Sequence, residues 1–141
     1  MLVHGFQASR VDFFLIKSFL QIRFGVDVLI STANEGRTED SIELQGKRLA
    51  KEVSNYLISQ DNDFKITFIG HSLGGLLIRS ALTFMENLEG KLHTYISLST
   101  PHLGYLYSAS TLIHLGLWVL NSWDKSECLE QISMQHSANV R

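Results

Sequence analysis

Ser72 carries Gly70 two residues before it and Gly74 two residues after it, within the run Phe64-Lys65-Ile66-Thr67-Phe68-Ile69-Gly70-His71-Ser72-Leu73-Gly74-Gly75-Leu76-Leu77-Ile78-Arg79-Ser80-Ala81-Leu82. A β-branched and aromatic stretch leads into G-x-S-x-G, and a proline-free helical pattern leads out, which is the setting of a nucleophile elbow. Such an elbow holds its serine in a sparsely populated backbone region, at a cost of roughly 1–3 kcal/mol. Glycines at the flanking positions lack the Cβ that would collide where strand and helix meet. The turn lifts the hydroxyl into the open and leaves the Leu73 N–H at a helix start, where unpaired donors and the positive dipole end favour a developing oxyanion. The chemistry is nucleophilic attack on a carbonyl. A serine N-cap after a Gly-rich turn is the plainer reading. The attacking serine is preferred because strand, glycines and helix are all in place. Gly70-x-x-x-Gly74 has neither the G-x-G-x-x-G spacing of a dinucleotide fold nor the Lys-Ser/Thr ending of a P-loop.

The elements that must position Ser72 follow from the rest of the chain. Its 141 residues, 45% hydrophobic and 18% charged, suit one globular domain or part of one. A net charge of −2 without any Lys/Arg run argues against a nucleic-acid partner. The single Cys128 cannot form an internal disulfide and reads as an ordinary thiol, consistent with a reducing compartment and a cytoplasmic location. No apolar run reaches the roughly 18 residues of a membrane span. His4 and Gly5 interrupt the apolar start, so the N-terminus does not read as a signal peptide.

Met1 to Phe6 reads as the end of a strand whose beginning is missing. Ser9-Arg10-Val11-Asp12 is a capping box, opening a helix from about Arg10 to Arg23 with Gly25 as its stop. Phe13, Ile16, Leu20 and Phe24 form the face expected on a sheet. Val26 to Ser31 reads as a second strand, and Thr32 to Asp40 as a polar loop, either bordering a site or simply solvated. From Ser41 to about Gln60, Ile42, Leu49, Val53, Tyr56 and Leu57 recur at helical spacing. Asp61-Asn62-Asp63 is a turn before the strand Phe64–Ile69. The helix after Ser72 is expected to reach Glu89-Gly90, and Lys91 to Leu98 is a fourth strand closed by the loop Ser99 to Gly104. Alternation of strand and helix demands a parallel sheet with helices on its faces. Ser110 to Trp123 reads as a core helix in preference to an apolar lid, and the tail from Asp124 to Arg141 as polar and amphipathic.

With the His4-Gly5-Phe6 strand end, the elbow Gly70 to Gly75 and the loop Thr100-Pro101-His102-Leu103-Gly104 identified, nearly the whole chain resembles the lipase-like α/β-hydrolases. It is most similar to the eukaryotic putative serine esterase family. The resemblance implies a partial α/β-hydrolase fold, a mostly parallel sheet of about four strands with helices on both faces. In that fold the strand ending at His4 lies between those ending near Ile30 and Ile69, and the crevice opens at this switch point. Ser72 is then the nucleophile, and the backbone N–H groups of Phe6 and Leu73 form the oxyanion hole, each donor worth roughly 2.7–4 kcal/mol in the transition state. His4, Gly5, Gly70, His71 and Gly74 support the elbow and pocket, and His102 lines the approach. No metal or cofactor is implied. The resemblance implies a small-molecule or lipid ester as substrate, and peripheral contact with a membrane is compatible with it.

The family order of Ser, acid, His breaks down here. Asp124, Glu127 and Glu130 follow Ser72, as do His93, His102, His114 and His136, but none sits after an identifiable strand. Asp124 with His136 has the right order at positions the family does not use. Residues 1–141 are therefore expected to form a single, incomplete hydrolase domain whose acid and histidine lie beyond Arg141. Loss of a triad member costs on the order of 10⁶ in turnover, so this chain alone is expected to be nearly inert. The alternative is a non-catalytic module of the same fold that binds a lipid or protein partner.

Overall fold

The computed structural model describes residues 1–58, 64–86, 88, 90–104 and 126–133. In chain order they form β1 (Leu2–Val3), a 3₁₀ turn (Arg10–Phe13), α1 (Phe14–Phe24), α2 (Ile42–Ile58), β2 (Ile66–His71), α3 (Leu73–Leu82), β3 (Leu92–Leu98) and α4 (Glu127–Ser133). β2 lies between β1 and β3, and both pairings are parallel. Leu2 stands opposite Ile69, which stands opposite Ile96.

Helices cover both faces, as parallel pairing requires. Val3 and Phe68 point to one face and pack with Leu49, Ala50 and Val53 of α2 and with Leu73, Leu77, Ile78 and Ala81 of α3. Leu2 and Ile69 point to the other and meet Phe13, Leu20, Val28 and Ile30. The second cluster is much the smaller.

The expected strand Val26–Ser31 reduces to one bridged residue, Ile30 beside Leu2. Leu2 donates to the Leu29 carbonyl (2.8 Å) and accepts from the Ser31 N–H (2.8 Å), so β1 offers this neighbour only one residue of pairing. The carboxylate of Glu52 on α2 then holds the chain end, accepting from Ser31 Oγ (2.5 Å), Thr32 N (2.8 Å) and Thr32 Oγ1 (3.0 Å).

The capping box is formed, with Asp12 Oδ2 accepting from Ser9 N (2.8 Å), and Gly25 ends α1 at φ 64°. The expected inner face of that helix is only partly used: Phe13 is buried, whereas Ile16 and Phe24 are 37% and 59% exposed. Phe13 and Leu20 meet Leu2, Ile69, Val28 and Ile30, while Ile96 of β3 on the same face stays 39% exposed. α3 stops at Leu82, short of Glu89, where Thr83 Oγ1 bonds back to the Ser80 carbonyl (2.8 Å) and competes with the helical ladder. The expected turn 61–63 and the apolar stretch 110–123 lie outside the described residues.

α4 seals the α2–α3 layer through Cys128, Leu129 and Ile132. The Cys128 thiol donates to the Thr38 carbonyl (3.1 Å) with Ser126 Oγ at 3.2 Å. Burial pushes this thiol above its ordinary range, offset in part by hydrogen bonds from Ser126 and Gln45. Cys128 should therefore resist a water-soluble thiol reagent at pH 8 and react fully once urea unfolds the chain. Rapid labelling of the native protein would mean that α4 does not seal the layer.

Candidate active site

Ser72 joins β2 to α3 at φ 52° and ψ −127°, a conformation that L-residues rarely adopt. Two backbone bonds secure it. Its N–H donates to the Leu98 carbonyl (2.8 Å), and its own carbonyl accepts from Gly75 N (3.2 Å). Although Ser72 occupies the N-cap position, its side chain makes no capping bond, so the plainer role of a helix-capping serine is not filled. The residue is half-buried at the carboxyl end of the sheet.

Glycines let four backbone segments converge on this point. A Cβ at Gly70 would lie 2.6 Å from the Cα and N of Gly75, and one at Gly74 would lie 2.2 Å from the Val3 carbonyl oxygen and 2.8 Å from that of His4. The first turn of α3 thus rests directly on the end of β1. A Cβ at Gly5 would fall 2.9 Å from Ser72 Cβ and 3.1 Å from Leu73 N. Gly5, and with it the start of Phe6, is therefore set beside the first amide of α3, which has no partner four residues back.

The other expected residues fall into two groups. His4 is buried, and its Nδ1 donates to the Gly5 carbonyl (3.1 Å), which places the ring proton on Nδ1. His71 is exposed at the end of β2. His102 sits on the outer side of α3: Arg79 Nη1, which can only donate, reaches its Nδ1 (3.2 Å), and its Nε2 donates to Ser97 Oγ (3.0 Å). Its ring stands edge-on to Tyr95, whose hydroxyl donates to the Gly75 carbonyl (2.9 Å) and whose pKa burial raises. His93 bonds Thr94 Oγ1 (2.8 Å) near the opposite end of β3. None of these described histidine contacts reaches Ser72. Glu127 and Glu130 lie on α4, while Asp124, His114 and His136 lie outside the described residues.

The loop that the sequence offered as either a site border or a solvated connection lies beside the site, through side chains that no sequence pattern singled out. The polar loop 32–40 is docked onto the chain after β1. Thr38 Oγ1 accepts from Gln7 N (2.8 Å), Glu39 Oε1 from Gln7 Nε2 (3.0 Å), and Glu35 Oε1 from Arg10 N (2.8 Å). Gln45, fully buried on α2, donates to the Thr38 (3.1 Å) and Asp40 (2.6 Å) carbonyls, and Asn34 donates to the Gln45 carbonyl (3.1 Å). The only available signal was a polar glutamine at an inward position of α2.

An apolar hollow of about 570 Å³, lined by Leu20, Phe24, Val53, Tyr56, Phe64 and Ile66, opens at the amino ends of the strands, away from Ser72. The Met1 amine beside it donates to the Thr67 carbonyl (2.7 Å), and burial lowers its pKa to about 6. Among the described residues there is no group of three His, Cys, Asp or Glu suited to a metal ion and no helix long and apolar enough to cross a membrane.

A parallel sheet with a strand-turn-helix at Gly70–Gly74, the loop after β1 laid against it and helices on both faces, is the fold of a lipase-like α/β-hydrolase. The chain belongs to the family described as "Putative serine esterase (DUF676)", which matches residues 1–138. Over 86 residues, 60% of this chain and 8% of the relative, it is 30% identical to GPI inositol-deacylase A of Yarrowia lipolytica. Its structure is similar to the lipase BlEst2 of Bacillus licheniformis. The mature form superimposes with a TM-score of 0.61 at 18% identity over 96% of this chain and 56% of that one, and the propeptide form with 0.60 at 19% over 93% and 28%. The chain thus spans between 8% and 56% of the length of these relatives.

Gly74→Ala forces a methyl group into backbone oxygen that cannot move aside. A loss of about 3 kcal/mol or more is expected in urea denaturation. An unchanged midpoint would contradict the packing of α3 on β1.

Proposed function

We propose that the protein is a serine esterase, with Ser72 as nucleophile and a carboxylic ester, of lipid type, as substrate. The observation that carries this reading is the uncapped, strained Ser72 beside the Gly5–Phe6 loop and the Leu73 amide. Ser72 Oγ attacks the ester carbonyl carbon, and a base takes its proton. The Phe6 and Leu73 N–H groups receive the oxyanion, and collapse of the tetrahedral intermediate breaks the bond to the alcohol, which leaves with that proton. Water then releases the acid from the acyl-enzyme. His4, Gly5, Gly70, His71 and Gly74 shape this loop and elbow, and His102 stiffens the α3 side through Arg79 and Ser97.

No described histidine bonds Ser72, so we assign base and acid to residues outside the described set, and propose that residues 1–141 alone are nearly inert. A lipid ester is supported by the names of similar proteins, a deacylase and a lipase. The lack of a described base equally favours a binding module of this fold, and one experiment separates the two. Full-length protein treated with a fluorophosphonate probe should label at Ser72 and lose all labelling in Ser72→Ala. Absence of labelling in a folded, full-length protein would support the binding module. The chain 1–141 should label slower by a factor on the order of 10⁶.

A further inference from the structure

Phe6 lies between two peptide groups that are held separately. Its N–H belongs to the same rigid unit as the Gly5 carbonyl, which accepts from His4 Nδ1 (3.1 Å) and Ala8 N (3.3 Å). The next unit, between Phe6 and Gln7, is held by the Gln7 N–H donating to Thr38 Oγ1 (2.8 Å). Gln7 itself is at φ 47°, in the left-handed region that a non-glycine residue enters only when its surroundings enforce it. Thr38 is well placed to enforce it. It is 5% exposed, and its carbonyl is anchored by Gln45 Nε2 and Cys128 Sγ, both at 3.1 Å, so its hydroxyl is presented from a support built by α2 and α4.

Resting on the esterase reading, we infer that Thr38 is a positioning residue for the oxyanion hole, holding Gln7 left-handed so that the Phe6 N–H faces the Leu73 N–H across the reacting carbonyl. The Ala8 N–H to Gly5 carbonyl bond (3.3 Å) closes across Gln7. When the Thr38 bond is lost and Gln7 relaxes, that closure opens, the Gly5–Phe6 unit is left on His4 alone and the Phe6 donor swings off line, weakening stabilisation that exists only in the transition state. Thr38→Val keeps the shape and removes the acceptor, whereas Thr38→Ser keeps the acceptor. The backbone carbonyl contacts to Gln45 and Cys128 persist in both.

In the full-length protein, fluorophosphonate labelling of Ser72 and kcat for a short soluble ester should fall roughly ten- to a hundredfold in Thr38→Val, with KM nearly constant. Thr38→Ser should stay within about threefold of wild type. Adding Gln7→Gly, for which a left-handed φ carries no strain, to Thr38→Val should recover part of the loss. Equal labelling of wild type and Thr38→Val, or equal impairment of the Val and Ser variants, overturns the inference. Should Thr38→Val fail to fold, hydrogen exchange at the Gln7 amide of the wild type decides. Strong protection, relieved by Thr38→Ala, is expected, and an unprotected amide overturns the inference. A wild type that never labels at Ser72 but protects the Gln7 amide removes the esterase reading, and with it the catalytic role of Thr38, while leaving the bond in place.

Discussion

The contact on which the rest of the structure depends is the one between the first turn of α3 and the end of β1. Gly74 brings that turn so near the Val3 and His4 carbonyls that no side chain could stand between them. With α3 seated there, β2 must turn within one residue, and Ser72 takes the strained backbone conformation that this sharp turn requires. The strain is opposed by packing. Leu73, Leu77, Ile78 and Ala81 are buried against α2 and the sheet, each large side chain contributing roughly 1.5–3 kcal/mol. A hydrophobic layer thus holds a polar residue in a conformation it would not choose.

The loop after β1 is governed by different physics. Residues 5–10 contribute little to the core beyond the partly buried Phe6, and hydrogen bonds that they donate to Thr38, Glu39 and Glu35 hold them instead. Those bonds are directional where apolar packing is not, which suits a segment whose peptide planes must face set directions. Gln45 and Cys128 supply the firm backing, and burial in a low-dielectric layer makes an unpaired carbonyl at Thr38 costly, so the network closes around it.

The two faces of the sheet are unequally covered. α2, α3 and α4 bury one face, while the 3₁₀ turn and α1 dock on the other mainly through Phe13 and Leu20 and leave Leu15 and Ile22 each 87% exposed. Leu92, Ile96 and Leu98 on β3, the outer strand among the described residues, are also 39–46% exposed. The firm part of the molecule is therefore the side that braces Ser72.

Sequence by itself determined the order of strands and helices, the parallel sheet, the capping box at Ser9, the Gly25 stop and the elbow at Ser72, because each rests on periodicity or on residues a few positions apart. It overstated the strand at 26–31 and the length of α3. Pairing depends on how much neighbouring strand there is to pair with, and helix ends on which carbonyls a nearby hydroxyl captures. It was silent on Thr38, Gln45 and Glu52, whose partners lie up to 90 residues away in the chain. Only the tertiary structure could decide that a polar loop braces the backbone beside Ser72, or that His102 binds Arg79 and Ser97. A hydrogen bond between distant residues leaves no spacing to read: it exists because helices and sheet, assembled by apolar burial, bring donor and acceptor to about 3 Å.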